Sequence, residues 1–138
     1  WIESGVKVVG QHYGSSPPFN KLWQAVTRNF QGRVWQPEER IDRVHALKMW
    51  TSWASEYILK EDKLGTLEVG KLADLVILDR DYFTVPVNDL LKIRVPMTMV
   101  GGKIMQIQQS LATEVGIDPV GPVYDFNDED VAAQFLGN

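Results

Sequence analysis

Gly65-Thr66-Leu67-Glu68-Val69-Gly70-Lys71-Leu72-Ala73-Asp74-Leu75-Val76-Ile77-Leu78-Asp79 is the stretch on which the reading of the fold turns. Gly65 opens a turn and Gly70 punctuates a hairpin-like step. Leu72 to Leu78 then runs almost unbroken in apolar residues. A strand without polar alternation is expected to be covered on both faces. Downstream, Pro86 and Asn88 mark a loop, and Asp89 to Leu91 forms a short turn. Ile93 to Val100 reads as a strand with Pro96 at an edge or bulge, because proline cannot donate to a ladder. Gly101-Gly102, between Thr98-Met99-Val100 and Lys103-Ile104-Met105, is a hairpin signal, since both turn positions accept positive φ. From Gln108 the chain reads as polar and loose. Asn127 or Asp128 can cap a last helix over Glu129 to Leu136, with acids in its first turn where the helix dipole favours them.

Upstream the period changes from strand to helix. Val6 to Val9 is a β-branched run and reads as a short buried strand. Gly10 to Pro18 mixes Gly, Ser and Pro and reads as a loop. Phe19, Leu22, Trp23, Val26 and Phe30 recur at helical spacing, so a helix is expected over Phe19 to Asn29, ended by Gly32. Arg33 to Arg40 reads as polar loop. Asp42 is a short acceptor suited to take up free N–H groups at a helix start. Val44, Leu47, Trp50, Ala54, Tyr57 and Ile58 mark one face of the next helical stretch, to about Lys60, with a break near Thr51. A single parallel strand followed by helices has no partner in this sequence. The chain, which opens on Trp1 and not on methionine, is therefore expected to be part of a larger βα array.

Composition narrows the classes. The 138 residues are 44% hydrophobic and 23% charged, values of a globular chain. A formal net charge of -4 argues against a nucleic-acid partner, which requires a basic face. No apolar run approaches the roughly 20 residues of a membrane span, so no membrane partner is expected. The opening Trp1-Ile2-Glu3-Ser4 does not resemble a secretory leader. With no cysteine there is neither a disulfide framework nor a thiolate metal site. The expected compartment is the cytoplasm.

Particular residues then carry a resemblance. Ala25-Val26-Thr27-Arg28, Gln36-Pro37-Glu38-Glu39-Arg40, the core Gly70, Lys71, Ala73 and Asp74, the Asp79-Arg80-Asp81 segment and the Thr98…Gly101-Gly102 hairpin together resemble the C-terminal end of the amidohydrolase superfamily, in its branch of long amide hydrolases. The resemblance covers about residues 1 to 107. It implies a mixed α/β chain: the last βα unit of a TIM-like barrel, part of a small β-sandwich domain, and a short helical C-terminal tail. Residues 1–61 would supply the last barrel strand, Val6 to Gly10, and the helices after it. Residues 62–109 would supply the C-terminal half of the sandwich, and 110–138 an acidic tail. The family binds one or two divalent metals, zinc being the expected one, through a His-x-His pair and later ligands. An aspartate after the last strand orients the attacking water. Metal-bound water is acidic enough to give hydroxide near neutral pH.

This chain departs from that pattern at the aspartate. The family reads Gly-Ser-Asp or similar, and here the chain reads Gly10-Gln11-His12-Tyr13. The resemblance places His12 at the aspartate position, as metal ligand or general base. Histidine can do both but brings no negative charge. A loop histidine that only hydrogen-bonds is the alternative. Tyr13, Ser15 and Ser16 share the loop and either line a substrate pocket or keep the loop in water. With no His-x-His, no metal is expected in this chain by itself, and it is expected to be inactive alone.

Other residues have plainer readings. His45 reads as an exposed first-turn residue, since i+4 is Met49 and offers no second ligand. Trp23 and Trp50 fall on apolar helix faces and read as core, Trp35 and Trp53 as partly exposed. Lys71 reads as a turn cation and Asp74 as a strand-start hydrogen-bonding group. The acids from Asp125 to Asp130 do not have calcium-loop spacing and read as a solvated helix start.

Two function classes remain. In the first, the chain belongs to a hydrolase of amide or other non-peptide carbon–nitrogen bonds, its partners being a small amide-type substrate and the rest of its own polypeptide. In the second, it is a non-catalytic structural or self-association module derived from that family, its unpaired apolar face covered in a homo-oligomer.

Overall fold

A computed structural model describes residues 1–11 and 19–122, and it is mixed α/β. Helix α1 is Asn20–Thr27, within the expected span. It ends early because Arg28 takes a left-handed φ of 57° and turns the chain into a small hairpin, β1 (Asn29–Phe30) and β2 (Arg33–Val34). Gln31 and Gly32 sit at φ 51° and 77°, the geometry of a two-residue turn with both centres left-handed. Gly32 thus serves a hairpin and not a helix stop, and residues 33–34 are strand where loop was expected.

Helix α2 is Arg43–Lys48 and α3 is Ser52–Tyr57. Asp42 caps α2 as expected: its Oδ1 accepts the His45 N–H at 2.8 Å. The expected break falls at Thr51, whose φ and ψ of -126° and -99° leave the helical region.

Three antiparallel strands form one sheet in the order β3 (Leu75–Ile77), β4 (Met97–Val100), β5 (Lys103–Ile107). The Gly101-Gly102 turn forms as read, with φ of 56° and 78°. Strand β4 begins only after Pro96, which removes a ladder donor, so Ile93 to Val95 are not strand. The short turn at Asp89–Leu91 is a longer 3₁₀ helix, Val87–Lys92. Strand β3 is also shorter than Leu72–Leu78, and Val76 and Ile77 are 51% and 39% exposed. The expectation of cover on both faces therefore fails among the described residues, where β3 is an edge strand.

Two further corrections concern the ends. Val6 to Val9 belongs to no strand among the described residues, and Val6 is exposed while Val8 and Val9 are half-buried. A parallel strand needs a neighbour to accept its hydrogen bonds. After Gln108 the described chain first forms α4, Gln109–Val115, where a loose stretch was expected; it packs Ala112 against the sheet and ends at Gly116 with φ 75°. The helix expected at Glu129–Leu136 lies outside the described residues.

The apolar groups gather in two clusters. The larger joins Phe19, Leu22 and Trp23 of the α1 region to Tyr82, Leu90, Leu91 and Ile93. Trp23 also donates its indole N–H to Asn88 Oδ1 at 3.2 Å. The smaller contains Met97, Ile107 and Ala112, between the sheet and α4. A reciprocal tie fastens the larger cluster. Arg43 donates to the carbonyls of Tyr82 and Val85 at 2.7 and 2.6 Å, and the Tyr82 hydroxyl donates to the Arg43 carbonyl at 3.1 Å. Burial pushes the Tyr82 phenol up to about 12, partly countered by the Arg43 charge. Among the described residues, no helix is long and apolar enough to cross a membrane.

Candidate functional site

The segment that leads to the expected site is held from one side. Lys7 pairs with Glu56 of α3. The Gly10 N–H donates to the Met49 carbonyl at 3.0 Å, and Gly10 lies against the Trp50 indole. On the far side of residues 12–18, Phe19 is buried, with its ring centroid 6.0 Å from that of Tyr82. The chain thus enters and leaves this segment at packed positions. His12, Tyr13, Ser15 and Ser16 themselves lie outside the described residues.

A cleft of about 580 Å³ is lined among others by Val8, Arg28, Glu38, Asp42, His45 and Met49. Its arginines are already committed to the chain. Arg28 donates to the Trp35 carbonyl and to Gln36 Oε1, both at 3.2 Å, and Arg40 donates to the Thr27 carbonyl at 3.1 Å. The Ala25–Arg28 and Gln36–Arg40 segments, which carried part of the resemblance, are thereby stitched to each other.

Asp42 and His45 form the cleft's one oriented acid–base pair that the described residues show. Asp42 Oδ2 lies 2.5 Å from His45 Nδ1. The His45 backbone N–H, and then its ring, hold the Asp42 carboxyl below the usual carboxylate range. An ionised carboxylate only accepts, so Nδ1 carries the proton toward it. The ring also lies 5.6 Å from Trp53, tilted by 40°. His45 thus lies in the first turn of α2, as expected, but is half-buried and oriented where an exposed residue was expected. Among the described residues, no hydroxyl or thiol side chain lines the cleft, so the pair has no nucleophile there to activate. Helix capping accounts for it fully. Among the described residues, no group of three or more His, Cys, Asp or Glu side chains is placed to hold a metal ion.

The motif residues of the β unit prove structural. Lys71 Nζ donates to Thr66 Oγ1 at 2.6 Å and lies 3.5 Å from Glu68, closing the turn as a cation. Asp74 Oδ1 accepts the Gly101 N–H at 2.6 Å, and the Gly102 N–H donates to the Ala73 carbonyl at 3.1 Å. The strand start and the hairpin tip are thus joined. Asp79 accepts the Arg94 N–H at 2.9 Å and pairs with Arg80 at 2.8 Å. Burial pushes its carboxyl up, but the Arg80 and Arg94 hydrogen bonds outweigh this and hold it below the ordinary value. Trp23 is core, Trp50 packs against the larger cluster, Trp35 is half-exposed and Trp53 half-buried, as read. Sequence reasoning missed the Arg43–Tyr82 tie, for which no local pattern exists, and the fit of Gly10 to Trp50.

The helical segment carrying Ala25–Arg28 and Gln36–Arg40 and the sheet closed by the Asp74–Gly101 contact are thus the described parts that carried the resemblance. Residues 1–106 match the model of the amidohydrolase family, and the chain belongs to that family. It is similar to the N-substituted formamide deformylase of Arthrobacter pascens, with 30% identity over 105 residues, 73% of this chain and 19% of that protein. It is also similar to the crystal structure of an amidohydrolase from Thermotoga maritima MSB8, with a TM-score of 0.44 and 24% identity, over 51% of this chain and 17% of that one. The chain thus spans about a fifth of the length of the relatives it matches.

Proposed function

We propose that this chain is the C-terminal part of a metal-dependent amidohydrolase that cleaves amide or other non-peptide carbon–nitrogen bonds in a small molecule. The observation that carries the proposal is the family match over residues 1–106, which includes the stitched segments and the sheet. The name of the Arthrobacter relative points to N-substituted formamides as the first substrates to try. In this reading residues 1–61 belong to a barrel, 62–109 to a β-sandwich and 110–138 to an acidic tail, in a cytoplasmic enzyme.

Metal, zinc in the first instance, enters through the family. The described residues do not fit such an ion, because no cluster of three ligands exists among them. Its ligands are assigned to the rest of the polypeptide, with His12 as this chain's candidate ligand or base and Tyr13, Ser15 and Ser16 as candidate substrate contacts. The described residues that flank that segment are packed, Gly10 against Trp50 and Phe19 in the core. The isolated chain is expected to be inactive.

The test is hydrolysis of a panel of N-substituted formamides and other amides by the full-length protein, loaded with zinc or another divalent metal. Turnover lost in His12→Ala supports the reading. Metal-loaded protein with no turnover on any amide would sink it. The second reading, a self-association module, draws on the half-exposed Val76 and Val100, which alternation puts on one sheet face. A monomer in sedimentation at all concentrations would exclude it.

A further inference from the structure

We infer that residues 117–122 form a strap that closes the sheet at β5 and so keeps a second copy of this chain from adding a strand there. The sheet ends at β5, with no further strand beyond it among the described residues. The last strand of a sheet leaves a row of N–H and C=O groups unpaired, and such a row recruits strands from other molecules. Along β5 and its end the backbone groups alternate in direction. The Gln108 N–H turns inward, to the Pro96 carbonyl at 2.8 Å, and the Ile107 N–H turns outward, to the Val120 carbonyl of the strap at 2.9 Å. Two residues before Ile107 the strap meets β5 again, where a Cβ added at Gly121 would lie 2.6 Å from the Met105 carbonyl oxygen. Carbon and oxygen in even a weak C–H···O contact sit roughly 3.3–3.6 Å apart. The bare glycine, at φ 81°, is what lets the strap lie this close to the strand.

Helix α4 delivers the strap to this position. Its Ala112, wholly buried with Met97 and Ile107, offers the carbonyl that accepts the Ile117 N–H at 3.0 Å, just after the turn at Gly116. The strap itself is exposed throughout, with Ile117 and Val120 42% and 44% open to solvent. Apolar burial therefore holds it only weakly, and its contacts are spent on the groups that β5 turns outward. Pro119 and Pro122 carry no N–H, so the strap's own outer side is a poor template for another strand. Helix α4 and the strap lie beyond residues 1–106, which match the family, so family membership does not account for them. Strand β3 has no such cover among the described residues, and the sheet is thereby shut on one side and open on the other.

Gly121→Val in the full-length protein tests this, because a branched side chain there collides with the Met105 carbonyl and opposes the φ of that position. Amide hydrogen exchange, resolved residue by residue, reports whether the strap is released. Exchange at Ile107 should rise about tenfold or more, while Gln108, bonded inward to Pro96, keeps its protection. Sedimentation velocity over a concentration series then reports the consequence. The variant should form dimers or larger species at concentrations where the wild type does not. Met105 is 48% exposed, and a charge there repels its counterpart across two β5 edges. Adding Met105→Lys to Gly121→Val should therefore restore the wild-type profile. If Gly121→Val fails to fold, Gly121→Ala, whose Cβ meets the same carbonyl, carries the same comparison. Unchanged exchange at Ile107 in the variant, or an Ile107 amide already unprotected in the wild type, overturns the inference. So does a released strap with an unaltered sedimentation profile, and so does an association that Met105→Lys leaves in place. Neither readout requires turnover, so the outcome is separate from that of the hydrolase reading.

Discussion

The helical region and the sheet reach stability by different means. Around α1 seven residues are buried together, with Trp23 and Leu90 almost wholly removed from solvent, and a long-range tie from Arg43 closes the cluster. In the sheet only Met97 and Ile107 are buried, beneath Ala112 of one short helix, and β3 keeps an open edge among the described residues. The helical cluster closes over Trp23 and Leu90, whereas the sheet leaves Val76, Ile77 and Val100 half in water. Burial stabilises in proportion to the apolar area removed from solvent. The helices should therefore carry most of the chain's stability, with the sheet adding less per residue.

Trp23→Ala should break the first region outright, costing roughly 3–5 kcal/mol, because it opens a large cavity and strands Asn88. Urea unfolding measures this, and a loss below that of any sheet substitution would reverse the ranking of the two regions. Ile107→Ala, the matching change in the sheet, should cost about 2–3 kcal/mol, toward the lower end for its type because α4 covers it alone. If the sheet melts in a separate, earlier transition, the two clusters are independent; a single transition shows that they fold together.

Arg43→Met should cost about 2 kcal/mol, since it leaves the Tyr82 and Val85 carbonyls without their charged donor. The same contact has a pH signature. Burial raises the Tyr82 phenol from 10.0 to about 12. A raised pKa contributes stability that is complete below the ordinary value and lost as pH climbs through the folded one. Alkaline melts should therefore steepen over that window in the wild type and lose the effect in Tyr82→Phe.

Asp42→Ala removes an N-cap and should cost about 1 kcal/mol at neutral pH. Because the Asp42 carboxyl lies below its ordinary 3.8, its contribution is present above that value and disappears as pH falls through the folded one. The gap between wild type and Asp42→Ala should thus close in acid, by thermal melts at stepped pH. The smallest effect is expected at Val76→Thr on the open sheet face, within about 0.5 kcal/mol. A larger loss would mean that this face is covered in the folded protein.

Local chemistry is readable in this sequence and long-range company is not. Asp42 as a cap, the break at Thr51, Lys71 as a turn cation and the Gly101-Gly102 turn each depend on neighbours within a few residues, and each stands where it was read. The strand at Val6 to Val9 depends on a partner that no described residue provides, and its apolar run alone does not make a ladder. The double cover expected for Leu72 to Leu78 fails for the same reason. Helix α4 does carry a local signal, Leu111, Ala112 and Val115 before Gly116. So does the β1–β2 turn, where a glycine follows a polar residue between two short apolar-bearing pairs. Of the expected site, the sequence shows residue types and order, but His12, Tyr13, Ser15 and Ser16 lie where the fold offers no described geometry to weigh them. Gly10 becomes informative only with Trp50 beside it, a residue far along the chain that no sequence pattern links to it.

The Arg43–Tyr82 tie bears on how this region can be exchanged between relatives. Its partners lie 39 positions apart, on either side of Gly65, which opens the turn into the β unit. A chimera joined at Gly65 takes Arg43 from one parent and Tyr82 from the other. Where one parent lacks Arg43 or Tyr82, it inherits the carbonyls of residues 82 and 85 without their guanidinium donor, or the carbonyl of residue 43 without the phenol that donates to it. The portable unit therefore starts upstream of Arg43, and a library of crossovers across 30–90 should show a trough of folded recombinants between those two residues.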